Sequence, residues 1–208
     1  MALGLDPIAL PHLRHNPIVR NVRHALALNE CRAWFKPTTW GWLDLDSQGA
    51  MTRLKDDRPL YKEQDIDEVW FSECHTDVGG GGGSVDITTR IALRWMLSEA
   101  VNVDGGVRLN GKERDLFGEA DPVDPPQVYK SQRAQRAAWR VVEQLPRKEI
   151  DNSKQWPIKK WARGSDGQRD PNGLTRGGKV YLHATAARSH SISGNIEIRH
   201  TKPLPRLG

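Results

Sequence analysis

Cysteine is scarce. Only Cys31 and Cys74 occur among 208 residues, and neither has a Cys or His neighbour at zinc-finger spacing. Two cysteines make no disulfide framework, and their pattern is compatible with a reducing compartment without demanding one. No apolar run approaches the roughly 18–20 residues that cross a bilayer. The N-terminal stretch MALGLDPIALPHLRHNP is short, broken by proline and without a basic leading region, so it does not read as a signal peptide. Internal repeats are lacking too. What is present is a polar but foldable composition: 37% apolar, 27% charged, and 8 Trp. That excludes wholesale disorder and predicts one core with generous loops.

The net charge of +5 is unevenly spread: residues 1–124 carry −6 and residues 125–208 carry +11. A basic C-terminal part suits anionic lipid headgroups, nucleic acid or an acidic partner, and equally a solvated surface. Trp156 and Trp161 stand among Lys154, Lys159, Lys160 and Arg163. Such interleaving serves base stacking, a membrane interface, or the pinning of a loop to the core.

Along the chain, Asn16-Pro17 reads as a helix start, with Ile18, Val22, Ala25 and Leu26 on one face and an end near Asn29. Residues 31–42 read as an extended segment plus turn. Val69-Trp70-Phe71 suits a buried strand. Residues 87–100 read as a helix apolar almost all round, and therefore buried. Gln127 to Leu145 shows an amphipathic pattern closed by Pro146. Val180-Tyr181-Leu182 suits a last short strand. Loop excursions are expected over 43–67, 101–126 and 147–178.

The most informative stretch is Cys74-His75-Thr76-Asp77-Val78 followed by five glycines, Gly79 to Gly83. A strand running into this segment would place His75 beyond its carboxyl end, where open α/β sheets gather ligand and catalytic groups. Glycines allow turns closed to other residues and let a substrate approach the backbone. Cys74 beside His75 invites a cysteine nucleophile, but neighbours on a regular strand face opposite ways. A metal site on Cys74, His75 and Asp77 needs further ligands. His183 and His190 stand at no telling spacing, and no metal is expected. His183 follows a strand and is the second choice for a base or substrate contact, equally readable as a buried histidine. His24 is expected to pack against its neighbours.

VWFSECHTDVGGG followed by IALRWMLSEA resembles the type VI secretion phospholipase effectors, lipase-like α/β-hydrolases. That family has a strand, then His-Ser-Asp-Val-Gly-Gly-Gly, then a helix with Ala-Leu-x-Trp-Met. Upstream, NPIVRNVRHALALNECRAWFKPTTW is similar to the family's Asn-Pro through His-Ala-Leu-Ala-Leu-Asp-Glu-x-Arg to Pro-Thr-x-Trp. Downstream, Leu145-Pro146-Arg147 and His183-Ala184-Thr185-Ala186-Ala187-Arg188 resemble its Pro-Arg and His-Pro-Ser-Val-x-Arg steps. The order is kept over residues 16–188.

The resemblance implies an α/β fold, specifically part of an α/β-hydrolase sheet, and phospholipid acyl-ester hydrolysis through an acyl-enzyme, with no cofactor. His75 takes the place of the triad histidine, the base that receives the serine proton and returns it to the leaving alcohol. Asp77 is placed as a loop-fixing residue accepting backbone N–H bonds, and Gly79, Gly80 and Gly81 shape the pocket. The sequence departs from the family at Ser84, where an aromatic is usual, and at Arg90, where Asp is usual. No Gly-x-Ser-x-Gly elbow occurs in it. Triad order in this fold is Ser, then acid, then His. The family's acid belongs to a Trp-Asp-Thr-Val stretch shortly before Asn16. The expectation is therefore the C-terminal part of one hydrolase domain over 1–208, lacking the early strands and the elbow and inactive alone. Its partners would be a phospholipid substrate or membrane surface and, in a split enzyme, a separate chain carrying the Ser/Asp half. The rival is a non-catalytic protein binding lipid or nucleic acid through the basic C-terminal part. The expected location is the cytoplasm of the producing bacterium, with export by a route that cleaves no signal.

Overall fold

The computed structural model describes residues 16, 18–30, 32, 35, 37–40, 64–72, 74–80, 87–110, 144, 147–151, 158–162, 171, 179–189 and 192–203. The chain divides into two compact units. One comprises Met1–Arg20, Cys31–Gln64 and Tyr129–Gln168; the other comprises Asn21–Glu30, Asp65–Val128 and Arg169–Gly208.

The second unit is an α/β layer structure. Its strands are β1 (Asn21–Ala27), β2 (Asp65–Phe71), β5 (Lys179–His183) and β6 (Asn195–Arg199), in the order β1-β2-β5-β6 and all parallel. Leu26, Trp70 and Leu182 lie level across three strands. With Leu28 and Val180 they build the core on one face. The alternate residues Val69 and Phe71, with Ala25 and Tyr181, build the other face. Period-two alternation thus feeds two cores, which is why the central strands are apolar almost without interruption. Helix α2 (Ile87–Asn102) covers the Val69/Phe71 face with Ile91, Ala92 and Trp95. Phe71 and Trp95 meet edge to face, ring centroids 5.5 Å apart. Helix α3 (Ala184–Ser189) lends Ala187 to the opposite face.

A buried ion cluster ties this unit together. Glu99 near the end of α2 is 2% exposed. Its Oε2 accepts from Arg23 Nε at 2.7 Å and from Lys202 Nζ at 2.8 Å. Burial opposes the charge on Arg23, but its bonds to Asp65 and Glu99 outweigh that and hold the guanidinium above its ordinary pKa. On the same sheet, the Arg199 guanidinium lies 4.1 Å above the Tyr181 ring and bonds to Asp67 at 3.0 Å.

The first unit holds an antiparallel pair, β3 (Arg147–Asp151) with β4 (Ile158–Ala162). It also holds the turn at Asn16, whose Oδ1 accepts the Ile18 N–H at 3.2 Å. Gln64 Nε2 donates to Asn16 O at 2.8 Å.

Several sequence expectations are corrected. The helix read from Asn16 to Asn29 is instead a turn followed by strand β1. The spacing of Val22, Ala25 and Leu26 fits a helix, but pairing with β2 along all seven residues buries more of this short apolar run. Strand β2 begins at Asp65, inside the expected 43–67 excursion, and β3 and β4 fall inside that of 147–178. Helix α2 is not buried all round: Leu93 is 49% and Met96 36% exposed. Strand β6, not β5, closes the sheet. The proposed helix of 127–145 lies outside the described residues, apart from Gln144.

Candidate functional site

The carboxyl end of the parallel sheet gathers the chemistry-bearing residues. Strand β2 ends at Phe71, and its carbonyl accepts the Leu28 N–H at 2.8 Å. Pairing of β1 with β2 therefore runs on past Ala27, and both strands finish level. Three residues after Phe71 the chain turns into the short helix α1 (His75–Gly79), capped by Cys74. His75 is the first residue of that helix and is exposed.

The turn into α1 is held from within. Asp77 Oδ2 accepts the Cys74 backbone N–H at 3.2 Å and the Cys74 thiol at 2.9 Å. This is the reciprocal half of a capping box, a side chain at the third helical position serving the cap's N–H. Burial first, then the bond to Asp77, push the Cys74 thiol above its ordinary pKa. A thiol held protonated and tied to a carboxylate is a poor nucleophile. The helix ends at Gly80, whose φ of +82° is the left-handed region and whose N–H bonds to Thr76 O at 2.9 Å. Thr89 Oγ1 donates to Asp77 O at 2.7 Å and fastens α1 to α2. Gly79 lies exposed at the end of α1. Gly81 lies outside the described residues.

His183 ends β5, two strands from β1, and is fully buried. Its ring stacks on Phe71, with centroids 4.7 Å apart. Nδ1 pairs with Thr185 Oγ1 at 2.9 Å and Nε2 with Thr201 Oγ1 at 3.1 Å. Both ring nitrogens are thus engaged by hydroxyls. His24 lies on β1, not on a helix, and its Nδ1 meets Glu68 Oε1 of the directly paired residue at 2.9 Å.

The structure brings one unforeseen residue to this end of the sheet. Glu30, 2% exposed, follows β1 by three residues, and its Oε2 accepts the His75 backbone N–H at 3.2 Å. The Glu within the Asn29-Glu30-Cys31-Arg32 run was the available signal. Among the described residues, no three His, Cys, Asp or Glu side chains gather as metal ligands do. No helix among them is long and apolar enough to cross a membrane.

Comparison with known proteins agrees with the motifs. Residues 6–99 match the family model for the catalytic domain of type VI secretion (T6SS) phospholipase effectors, Tle1-like. That span holds β1, β2, α1, most of α2, and the residues Glu30, Cys74, His75 and Asp77. No curated protein and no solved structure matches the chain. Over residues 6–99, under half of its length, this chain is similar to the Tle1-like phospholipase effector catalytic-domain family of type VI secretion.

Proposed function

We propose that the chain supplies the catalytic histidine, His75, of a serine hydrolase with the α/β-hydrolase fold that cleaves phospholipid acyl esters. One observation carries this reading. Within the family-matched span, the exposed His75 stands at the start of a helix directly beyond the carboxyl end of a central parallel strand. Active-site groups of open α/β sheets collect there. In this role His75 accepts the proton of a serine hydroxyl as that oxygen attacks the acyl carbon. The imidazolium then protonates the departing lysophospholipid oxygen, and a second cycle with water frees the fatty acid. Asp77 fixes the turn that carries His75, Gly79 and Gly80 end its helix without side chains beside it, and Gly81 is taken to extend that open stretch. His183, buried and doubly bonded, ranks behind it as a base.

These 208 residues contain no Gly-x-Ser-x-Gly elbow. The nucleophile therefore comes from polypeptide outside them, the family resemblance puts the acid there too, and the chain by itself is expected to hydrolyse nothing. Phospholipid is met at a membrane surface, after export by a secretion system. The test is fatty-acid release from phosphatidylglycerol/phosphatidylethanolamine vesicles. The chain alone should release none. Together with the segment bearing the elbow it should release fatty acid, and His75→Ala should abolish that release. Undiminished release by the His75→Ala mixture would sink the assignment. Salt-sensitive binding to vesicles or nucleic acid without hydrolysis in either arrangement would favour a binding protein instead.

A further inference from the structure

Two successive backbone N–H groups at the entry to α1 are served by two different carboxylates. Asp77, from within the helix, takes the N–H of Cys74 at 3.2 Å. Glu30, from the chain leaving the neighbouring strand, takes the N–H of His75 at 3.2 Å. The first N–H groups of a helix have no partner within it, so each bond fills a vacant place. The two bonds differ in what they fix. Asp77 closes a local turn, whereas Glu30 reaches across 45 residues of sequence and refers His75 to the end of β1. That end is itself level with β2 through the Leu28 N–H to Phe71 O bond of 2.8 Å. Burying a carboxylate as completely as Glu30 is costly unless it meets donors. One of the donors it meets is the N–H of an exposed histidine.

We propose that Glu30 is a positioning residue for His75, its buried carboxylate gripping the His75 N–H so that the imidazole leaves the backbone in one fixed direction. This rests on the reading of His75 as the base. Rotamer choice follows backbone dihedrals, so a pinned backbone at His75 restricts the side chain as well. A misplacement of about 1 Å at a reacting group costs on the order of a hundredfold in rate.

The test uses the full chain, isotope-labelled, with Glu30→Gln and Glu30→Ala. In the native chain the His75 amide resonance should lie downfield, as a charged acceptor places it, and χ1 couplings of His75 should report one rotamer. Glu30→Ala should make that amide exchange about tenfold faster, as loss of a charged hydrogen bond implies, and should average the couplings. Glu30→Gln keeps an acceptor in place, so the single rotamer should survive while the amide resonance moves upfield with the loss of the charged acceptor. Should Glu30→Ala not fold, Glu30→Gln alone decides. A His75 amide that keeps its position in Glu30→Gln overturns the proposal, as does an unaveraged rotamer in a folded Glu30→Ala. In the vesicle assay with the elbow-bearing segment, Glu30→Ala should lower kcat at unchanged KM, and Glu30→Gln should restore much of it. The resonances judge the tether, while His75→Ala in the same assay judges the base, so each can fail without the other.

Discussion

Replacing Glu99 by glutamine tests whether the buried ion cluster organises the parallel sheet. Glu99 Oε2 accepts two charged donors, Arg23 Nε at 2.7 Å and Lys202 Nζ at 2.8 Å. The two bonds are not equal. The Arg23 side chain is nearly as buried as Glu99, whereas half of the Lys202 side chain faces solvent. A charged hydrogen bond in a buried setting is worth about 1.5–3 kcal/mol and a neutral one about 1. Exposed pairs add about 0–1 kcal/mol. Glutamine keeps the shape and one acceptor oxygen, so the loss is about 1–2 kcal/mol at Arg23 and under about 1 at Lys202. The sum is about 2 kcal/mol. With a urea slope of about 2 kcal/mol/M, the unfolding midpoint should fall by about 1 M. Glu99→Ala should cost more, about 3 kcal/mol, because the Arg23 Nε–H loses its carboxylate outright. It should stop short of the largest such losses because Asp65 still pairs with Arg23 at 2.5 Å. Urea unfolding followed by tryptophan fluorescence measures all three proteins. Pairing Arg23→Met with Glu99→Leu should recover most of the loss, since apolar isosteres of a buried pair are often neutral. A midpoint unchanged in Glu99→Gln would mean that the pair contributes no net stability and that apolar packing alone holds α2 on the sheet.

Two further outcomes follow from the packing and the turn. Trp95→Ala should destabilise the chain by about 3–5 kcal/mol, the usual cost of emptying a buried aromatic site, seen as a lower Tm in calorimetry. Trp95 packs against Phe71 and is almost fully buried, so a loss under about 1 kcal/mol would contradict the core assignment. Because the Cys74 thiol is held above its ordinary pKa, less thiolate is present at any given pH. Its alkylation by iodoacetamide should therefore rise at a higher pH than that of an unperturbed cysteine. Asp77→Asn should move that rise back down, and an unshifted profile in the native chain would refute the Cys74–Asp77 bond.

Much of this was legible in residue order. Val69-Trp70-Phe71 and Val180-Tyr181-Leu182 are short apolar runs, and both are strands. Ile91, Ala92 and Trp95 share a helical face, and that face is the buried one. The Cys-His-x-Asp run with its glycines pointed to the end of the sheet where it lies, and its motifs pointed to the family that matches. Other parts were less legible. Asn21–Ala27 carries apolar residues at spacings that fit a helix and a doubly buried strand alike, and only the partner strand decides. Asn195-Ile196-Glu197-Ile198-Arg199 alternates polar and apolar residues as a strand should, but only its pairing with β5 shows that it extends the sheet.

Residue order by itself therefore determined the chemistry on offer: a histidine beside glycines, no serine elbow in these residues, and a basic C-terminal part. These are properties of side chains and spacings, and they hold in any conformation. Tertiary structure decided which groups meet. It made a buried acceptor of Glu30 by ending β1 level with β2, and it closed both nitrogens of His183 between Thr185 and Thr201. It also turned the Cys74 thiol toward Asp77. The Glu30–His75 bond spans 45 residues and depends on strand register, of which local spacing carries no record, and the nearer bonds of His183 and Cys74 owe their burial to the same packing.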